Sequence, residues 1–159
     1  MSPRRKNLGS SVTTPRRELS NRGMNTSIVL ETAHQVLAGT IAFSQVVGAL
    51  IQADVEYYRV DYGTRTKTYH GTDGSVMMTP LPYEGLPAIA EDFNAAALKA
   101  NLLDSQQNGQ KYRDFSRRAL EAGVQSYTAF LRGRRVVYLG RQGDQHVEWF
   151  PGAQPAARH

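Results

Sequence analysis

The chain has 159 residues and none of them is cysteine. This absence excludes a disulfide framework, a thiolate nucleophile and a sulfur-ligated metal site, and it favours the reducing cytoplasm as the compartment. No apolar run approaches the roughly 20 residues that span a bilayer, and the basic N-terminus is not followed by the apolar segment of a signal peptide. We therefore expect a cytoplasmic protein that has no membrane among its partners. With 40% apolar residues, the chain can bury one compact core.

Most of the chain has no excess of positive or negative charge, although the whole chain has a net charge of +5. Residues 1–23 hold six basic residues and one acidic residue, and their polar composition predicts a disordered basic tail. Folded patterning begins just after Met24, which is a candidate natural start. Residues 24–92 have 3 basic and 8 acidic residues, whereas residues 93–159 have 10 and 5. Because the two parts have opposite net charge, we expect acidic-to-basic contacts between them, or between copies in a homo-oligomer.

The chain contains an internal repeat. Residues 43–82, shifted by 69 positions without a gap, align with residues 112–151, and eight of the 40 aligned positions are identical. An internal repeat decides the architecture before local propensity does. We predict an α+β fold that contains two copies of a helix–helix plus three-stranded antiparallel meander unit, and the two copies share one core. The domain boundaries are 24–152 for the duplicated domain, about 25–82 and 94–151 for the repeats, and 153–159 for a frayed C-terminus.

Hydrophobic periodicity places the elements within each repeat. The second helix of repeat one has an apolar stripe from Phe43 to Ile51, and we expect that face to pack inward. A Gly after a helix, followed by an apolar residue, is typical of a left-handed C-cap, so Gly123 should have positive φ and Asp54, its counterpart, the same conformation. Strands are predicted at about 55–62, 65–70 and 75–80, and at 124–131, 134–139 and 145–150.

Four segments carry a resemblance to a known family. They are AGTIAFSQVVGALIQADVEYYRVDY, TPLPYEGLP, DSQQNGQKYRDFSRRALEAGV and YLGRQGDQHVEWFPG. Together they resemble a family of small bacterial proteins of unknown function, some of which are labelled phage envelope protein. The resemblance covers about residues 25–152 and implies no activity, cofactor or catalytic residue. The family tends to begin near the position of Met24, in agreement with an N-terminal extension.

One pair of residues has the spacing of an acid–base site. His146 and Glu148 are two apart on a predicted strand, so both side chains point to one face, as a base with its orienting carboxylate does. The first repeat has neither group at the aligned positions. We favour an exposed polar face for this pair, with Val147 and Trp149 supplying the core side of the strand. No residues stand at metal-ligand spacing and no Gly-rich phosphate loop precedes a helix, so we predict neither a metal nor a cofactor.

Aromatic and basic residues supply the other candidates. The tyrosines Tyr58, Tyr69, Tyr127 and Tyr138 recur in register and either line a cleft between the repeats or pack in the core, which is the interpretation we favour. Basic residues concentrate in the second repeat, where Arg134 and Arg135 flank a predicted hairpin. They are candidate binding residues. The neutral balance of residues 24–159 argues against nucleic-acid binding by the folded part.

Three functional hypotheses follow from these residues. The favoured one is a non-catalytic binding or interaction module with a groove between the repeats, which takes a small molecule or a protein as its partner. The alternative is a small enzyme that uses His146, Glu148 or a tyrosine as acid or base in a cleft between the repeats. The third is nucleic-acid binding through the Arg-rich second repeat and the basic tail.

Overall fold

The computed structural model describes residues 23–155, so the predicted basic tail lies outside the described residues. Within them the fold is α+β, as predicted, with two helix–helix plus three-strand units. The first unit consists of α1 (Thr26–Ala38), α2 (Phe43–Gln52), β1 (Val55–Asp61), β2 (Thr66–Gly71) and β3 (Val76–Pro80), and the second of α3 (Ala95–Asn108), α4 (Tyr112–Glu121), β4 (Val124–Phe130), β5 (Arg135–Gly140) and β6 (Gln145–Trp149).

The six strands form one antiparallel sheet in the order β3-β2-β1-β4-β5-β6. The two meanders therefore meet at β1 and β4, where Arg59 is the register partner of Thr128. These two residues are 69 positions apart, like the repeats. Tyr57 pairs with Phe130, and Asp61 pairs with Ser126. The 69-residue shift maps each of these pairs onto the other. The register thus places an approximate twofold axis between Arg59 and Thr128, as the repeat predicted.

Equivalent asparagines begin the two units. Asn25 caps the N-terminus of α1 and Asn94 caps that of α3, each through its side-chain oxygen. The backbone N–H of Asn25 also donates to the Ala53 carbonyl oxygen at 2.9 Å, and that of Asn94 donates to Ala122 at 2.8 Å. Each of these bonds ties the start of the first helix to the residue that ends the second helix. The structural repeat therefore begins at Asn25 and Asn94, earlier than the stretch of clear sequence identity.

The helices cover one face of the sheet. Alternate residues of β1 such as Tyr58 and Val60 are buried against them, as is Tyr62 just after the strand. The core also contains Leu50 of α2 and Leu120 of α4. Because alternate side chains of a strand point to opposite sides, the intervening residues lie on the other side of the sheet. No described helix contributes to a core on that side, which we call the open face.

The apolar stripe of α2 does not pack inward along its whole length. Val46 and Leu50 are buried, but Phe43 and Ile51 are about half exposed. The packing partners of α2 are α1 and β1, which face only a narrow strip of the helix surface. Phe43 instead directs its ring against Phe150, with 5.4 Å between centroids. The expectation of a fully buried stripe was therefore wrong at both ends of the helix.

Ion pairs do not join the two halves of the described chain. Each salt bridge within residues 23–155 stays inside one half, and Arg113 of the second half reaches the backbone carbonyl of Glu84 rather than its carboxylate. The expected acidic-to-basic contacts between the halves therefore include no salt bridge within the described residues, where strand pairing and the shared core join the halves. The salt bridges are Arg59–Asp61, Arg117–Asp114, Arg118–Asp104 and His146–Glu148.

Candidate functional site

Side chains on the open face form three rows that run across the six strands, because residues paired between neighbouring strands lie on the same face. One row is dominated by aromatic side chains, and we call it the aromatic row. The polar row lies at the opposite end of the strands, with a middle row between them. From β3 to β6, the aromatic row is Val76, His70, Tyr57, Phe130, Arg135 and Trp149, the middle row is Met78, Thr68, Arg59, Thr128, Val137 and Val147, and the polar row is Pro80, Thr66, Asp61, Ser126, Leu139 and Gln145.

The aromatic row is nearly continuous across the sheet. The rings of Tyr57 and His70 stack with 4.4 Å between centroids and 13° between planes. Phe130 follows on β4, with its centroid 5.8 Å from that of Tyr57. Farther along, the Arg135 guanidinium lies 4.1 Å from the centre of the Trp149 ring, which is a cation–π contact. Five planar side chains from five strands thus lie in one row, and each of them is partly exposed.

The aromatic row breaks the symmetry of the repeat. The 69-residue shift relates the two outer rows to each other, so Tyr57 corresponds to Ser126 and Phe130 to Asp61. Arg135 likewise corresponds to Thr66. Both rows occupy equivalent backbone positions in the same sheet, but only one is aromatic. The fold of the repeat therefore does not require an aromatic side chain at these positions, since the equivalent positions in the other repeat hold Ser126, Asp61 and Pro80.

A groove of about 330 Å³ opens between the two repeats beside the aromatic row. Glu56 comes from the first repeat and all the other lining residues from the second. A carboxylate, two guanidinium groups and apolar surface therefore meet in one groove, although none of the salt bridges within the described residues involves Glu56. The lining residues are Glu56, Phe130, Arg132, Gly133, Arg135 and Val137.

His146 and Glu148 do form the pair that their spacing predicts. The Nε2 atom of His146 lies 3.0 Å from Oε1 of Glu148, which is hydrogen-bonding distance. Their face of β6 was predicted wrongly, however. Val147 and Trp149 lie on the open face, and Val147 is 39% exposed. Tyr138, the register partner of His146, is buried in the core, so His146 and Glu148 point to the helix side.

The position of β6 explains this reversal. It is an edge strand, and its helix-side residues lie at the rim of the helix layer, where Gln106 of α3 comes within 3.5 Å of Glu148. A polar pair is tolerated at that rim because it is only partly buried. The groove beside the aromatic row is not lined by either residue. Acid–base chemistry by His146 and Glu148 stays a hypothesis.

The four tyrosines that recur in register lie inside the core. Tyr58, Tyr69, Tyr127 and Tyr138 are all buried, and neighbouring rings among them are tilted against each other at centroid distances of 5.1 to 5.6 Å. Desolvation by burial raises the pKa of Tyr69 to about 12 and raises the pKa values of the other three above their usual value. The Tyr127 hydroxyl is hydrogen-bonded to that of Tyr112. These positions match the core-packing interpretation and leave the rings little surface for a ligand.

The two candidate arginines have different environments. Arg135 belongs to the aromatic row and to the groove, as described above. Arg134 is in the hairpin turn with φ of 60°, and its repeat equivalent Arg65 has φ of 57°. The Arg134 backbone carbonyl accepts a hydrogen bond from the N–H of Phe150, and that of Arg65 accepts one from Leu81. The two repeats thus share one backbone geometry at Arg134 and Arg65. At the next position, Arg135 of the second repeat corresponds to Thr66 of the first.

Lys67 was missed by the sequence analysis. It is only 3% exposed, on the core side of β2, with Nζ 4.5 Å from the centre of the Tyr112 ring. Burial lowers its pKa to about 8. The aligned residue of the second repeat is Val136, which is also buried. Alignment of a lysine with a core valine was the signal that could have identified it.

No three His, Asp or Glu side chains among residues 23–155 converge on a point where they could hold a metal ion. None of the helices described there combines the length and the apolar character that crossing a bilayer needs.

Comparison with protein families matches residues 31–147 to DUF1398, described as a protein of unknown function. The chain belongs to this family. The match begins within α1 and ends within β6, so it includes most of both repeats and reaches all six strands. The resemblance to a family of unknown function is confirmed to that extent. A search of curated proteins finds no match.

Proposed function

We propose that this DUF1398 protein is a non-catalytic binding module and that its binding surface is the open face of the sheet, centred on the aromatic row. One observation carries the proposal. The twofold repeat preserves the backbone of both outer rows, but only one of them has aromatic side chains at Tyr57, Phe130 and Trp149. Side chains that the fold does not need, on a surface that no described helix covers, are candidates for recognition.

Exposure of apolar groups supports the same surface. Val76 is 58% exposed and Met78 is 61% exposed, and both lie on the open face with Val147. These apolar side chains lie at the two edges of the sheet, and aromatic residues and arginine are enriched in interaction sites. The stacked row also loses little side-chain entropy on binding, because neighbouring rings already restrict one another.

The groove between the repeats adds polar selectivity to this surface. Glu56 offers a carboxylate, and Arg132 and Arg135 offer guanidinium groups that can form paired hydrogen bonds with a carboxylate. A partner with an anionic group next to apolar surface fits this combination. The groove is the feature that best matches the predicted binding site between the repeats.

Trp149 makes the proposal directly testable, because it is the single tryptophan of the chain and lies in the aromatic row. A library of small carboxylates and short peptides is screened for compounds that raise the melting temperature, and each hit is titrated against Trp149 fluorescence. The test variants are Tyr57→Ser and Phe130→Asp, which copy the residues found at the equivalent positions of the polar row.

The matched control is Thr66→Ala, at the polar-row equivalent of Arg135. We expect hits to change the fluorescence of Trp149 and to bind both test variants at least tenfold more weakly, with the control unchanged. Hits that bind all variants equally would show that the open face is not the binding surface.

Other sequence-based hypotheses stay predictions beside this proposal. They are the cytoplasmic location, the bacterial origin and the meaning of the phage envelope label. Nucleic-acid binding through the second repeat and the basic tail is the least favoured function. The open face itself carries both signs of charge, with Arg59 paired to Asp61 at 3.5 Å, and a polyanion selects surfaces of one sign.

A further inference from the structure

The open face has the dimensions of a small protein interface. Six strands about 4.8 Å apart span roughly 25 Å, and the three rows with their flanking atoms cover roughly 15–20 Å along the strands. Two such patches in contact would bury on the order of 1,000 Å², the lower limit for a specific interface. The surface is therefore large enough for a partner that also presents a flat sheet, and the resulting complex would have modest affinity.

The order of the rows on this face selects one geometry for such a partner. Along the strands, one end presents the aromatic row and the other end the polar row. Rotation about an axis parallel to the strands places β1–β3 opposite β4–β6 and also places the aromatic row opposite an aromatic row. Rotation about an axis across the strands would place the aromatic row opposite the polar row.

We propose that the open face binds the open face of a second copy of this chain around a twofold axis parallel to the strands. This inference rests on the proposed function and names the partner for that surface. The two sheets form a sandwich with about 10 Å between them. Tyr57 then lies opposite Phe130 of the second copy, and Met78 lies opposite Val147 of the second copy.

A second copy fits this surface because exposed groups on one half of the sheet lie opposite matching groups on the other half of the second copy. A twofold interface requires a patch that is complementary to itself. Val76 and Met78 at the β3 edge meet Trp149 and Val147 at the β6 edge of the other copy, so exposed apolar groups cover one another. Among residues 23–155, Glu56 lies in the groove with Arg132 and Arg135 and takes part in no salt bridge, and the second copy brings its own carboxylate and guanidinium groups to this region.

A charge-swap experiment on the full chain tests the geometry. Met78 and Val147 lie on opposite edges of the sheet and are both exposed, so substitutions there leave the fold intact. Sedimentation equilibrium from micromolar to near-millimolar protein should show a dimer. Met78→Lys or Val147→Asp alone should raise the dimer dissociation constant at least tenfold, because each places a charge against an apolar side chain.

The double variant Met78→Lys with Val147→Asp is the decisive arm. In the proposed dimer, the new ammonium group of each copy faces the new carboxylate of the other copy. Two new ion pairs therefore form, and most of the lost affinity should return. The two positions are on β3 and β6, too far apart for an ion pair within one sheet. Ile51→Lys is the matched control. Ile51 is 52% exposed on α2 in the helix layer, so this substitution should leave the dissociation constant unchanged.

Cross-linking gives a second readout that does not depend on affinity. The natural chain has no cysteine, so Met78→Cys and Val147→Cys each add a single thiol. A short bismaleimide should join the two variants when they are mixed, but should not join Met78→Cys to itself. Self-linking of Met78→Cys, or loss of dimer on Ile51→Lys without loss on Met78→Lys, would overturn the geometry.

The outcomes separate this inference from the proposed function. In one outcome, the wild-type chain stays monomeric at the highest concentration while the binding of hits from the screen still depends on Tyr57 and Phe130. That result overturns only the second copy as the partner. If the chain is a monomer and the hits bind the Tyr57 and Phe130 variants as tightly as wild type, the proposed binding surface is overturned as well. A dimer that shows both the charge-swap rescue and the mixed cross-link supports both proposals.

Discussion

Asp54 and Gly123 have the same left-handed backbone conformation, with φ of 65° and 88°, at equivalent positions after α2 and α4. Each follows the alanine that ends its helix, and its N–H donates to the carbonyl oxygen three residues earlier. The sequence predicted this pair, because Gly123 is followed by an apolar residue and the repeat assigns Asp54 the same geometry. An L-residue other than Gly has a steric cost in this conformation, which Asp tolerates better than most.

Replacement of Asp54 by Gly should stabilise the protein. The substitution removes the left-handed strain and adds chain entropy to the unfolded state, so we expect a net gain of about 0.5 kcal/mol or less in the free energy of unfolding. Urea denaturation of wild type and Asp54→Gly measures the difference. A loss of more than about 1 kcal/mol would show that the Asp54 side chain makes a stabilising contact that outweighs the strain.

Replacement of Gly123 by Ala should destabilise the protein by more than about 2 kcal/mol, since strain and a steric clash combine. A Cβ atom at Gly123 would approach the backbone oxygen of Asp92 to well within van der Waals contact. Gly143 is the matched control, because its φ is also 88° but a Cβ there meets nothing within 4 Å. Gly143→Ala therefore reports strain alone. Equal losses for the two variants would rule out the clash with Asp92.

Replacement of Lys67 by Met should raise the free energy of unfolding at pH 7 by on the order of 2–3 kcal/mol. Burial lowers the pKa of Lys67 from 10.5 to about 8 in the folded protein, so at pH 7 the fold holds a desolvated ammonium group. Between pH 8 and pH 10 the folded protein releases this proton while the unfolded chain keeps it. Wild-type stability therefore rises with pH in that window, and the advantage of Lys67→Met shrinks.

Denaturant titrations at pH 7, 8, 9 and 10 measure that advantage. Lys99→Met is the control, because Lys99 is exposed on α3 and its removal should change the stability little at any of these pH values. A constant difference between wild type and Lys67→Met across the window would mean that the charge on Lys67 does not limit stability.

The buried tyrosines should make the protein sensitive to alkali above pH 10. Desolvation raises the pKa values of Tyr62 and Tyr69 to about 12, whereas an unfolded tyrosine titrates near 10. Their contribution is fully present below pH 10 and is lost as the pH rises toward 12, because only the unfolded chain ionises readily. Tyrosinate absorbance should therefore increase together with loss of the far-ultraviolet circular dichroism. Ionisation of all eight tyrosines in a chain that keeps its circular dichroism would contradict the burial.

The sequence predicted the architecture well because the repeat and its turns constrain the backbone twice. Each of the six strands was placed within about one residue of its observed bounds. The faces of β6 could not be read from alternation, since His146 and Val147 both sit on an edge strand where burial is partial. Apolar residues at such an edge are compatible with either side of the sheet.

The candidate site was harder to predict than the fold. Tyr57, His70 and Phe130 are scattered in sequence and become one row only through the pairing of β1 with β4, which neither repeat encodes alone. The repeat did hold a usable signal, because aromatic residues on the wetter side of each strand align with Ser126, Leu139 and Asp61. The positions that are identical in both repeats include the four shared tyrosines, and these are core residues rather than surface residues.

The register partners Arg59 and Thr128 also say something about origin. A single repeat taken alone would leave the edge of β1 unpaired where β4 now lies. Because the pairing is symmetric about these two residues, two separate single-repeat chains could join through the same register and rebuild the six-stranded sheet. The present chain has the geometry of a fused pair of half-length ancestors. Duplication and fusion of such a chain would let the two outer rows diverge, so that one row can be aromatic while the other is polar.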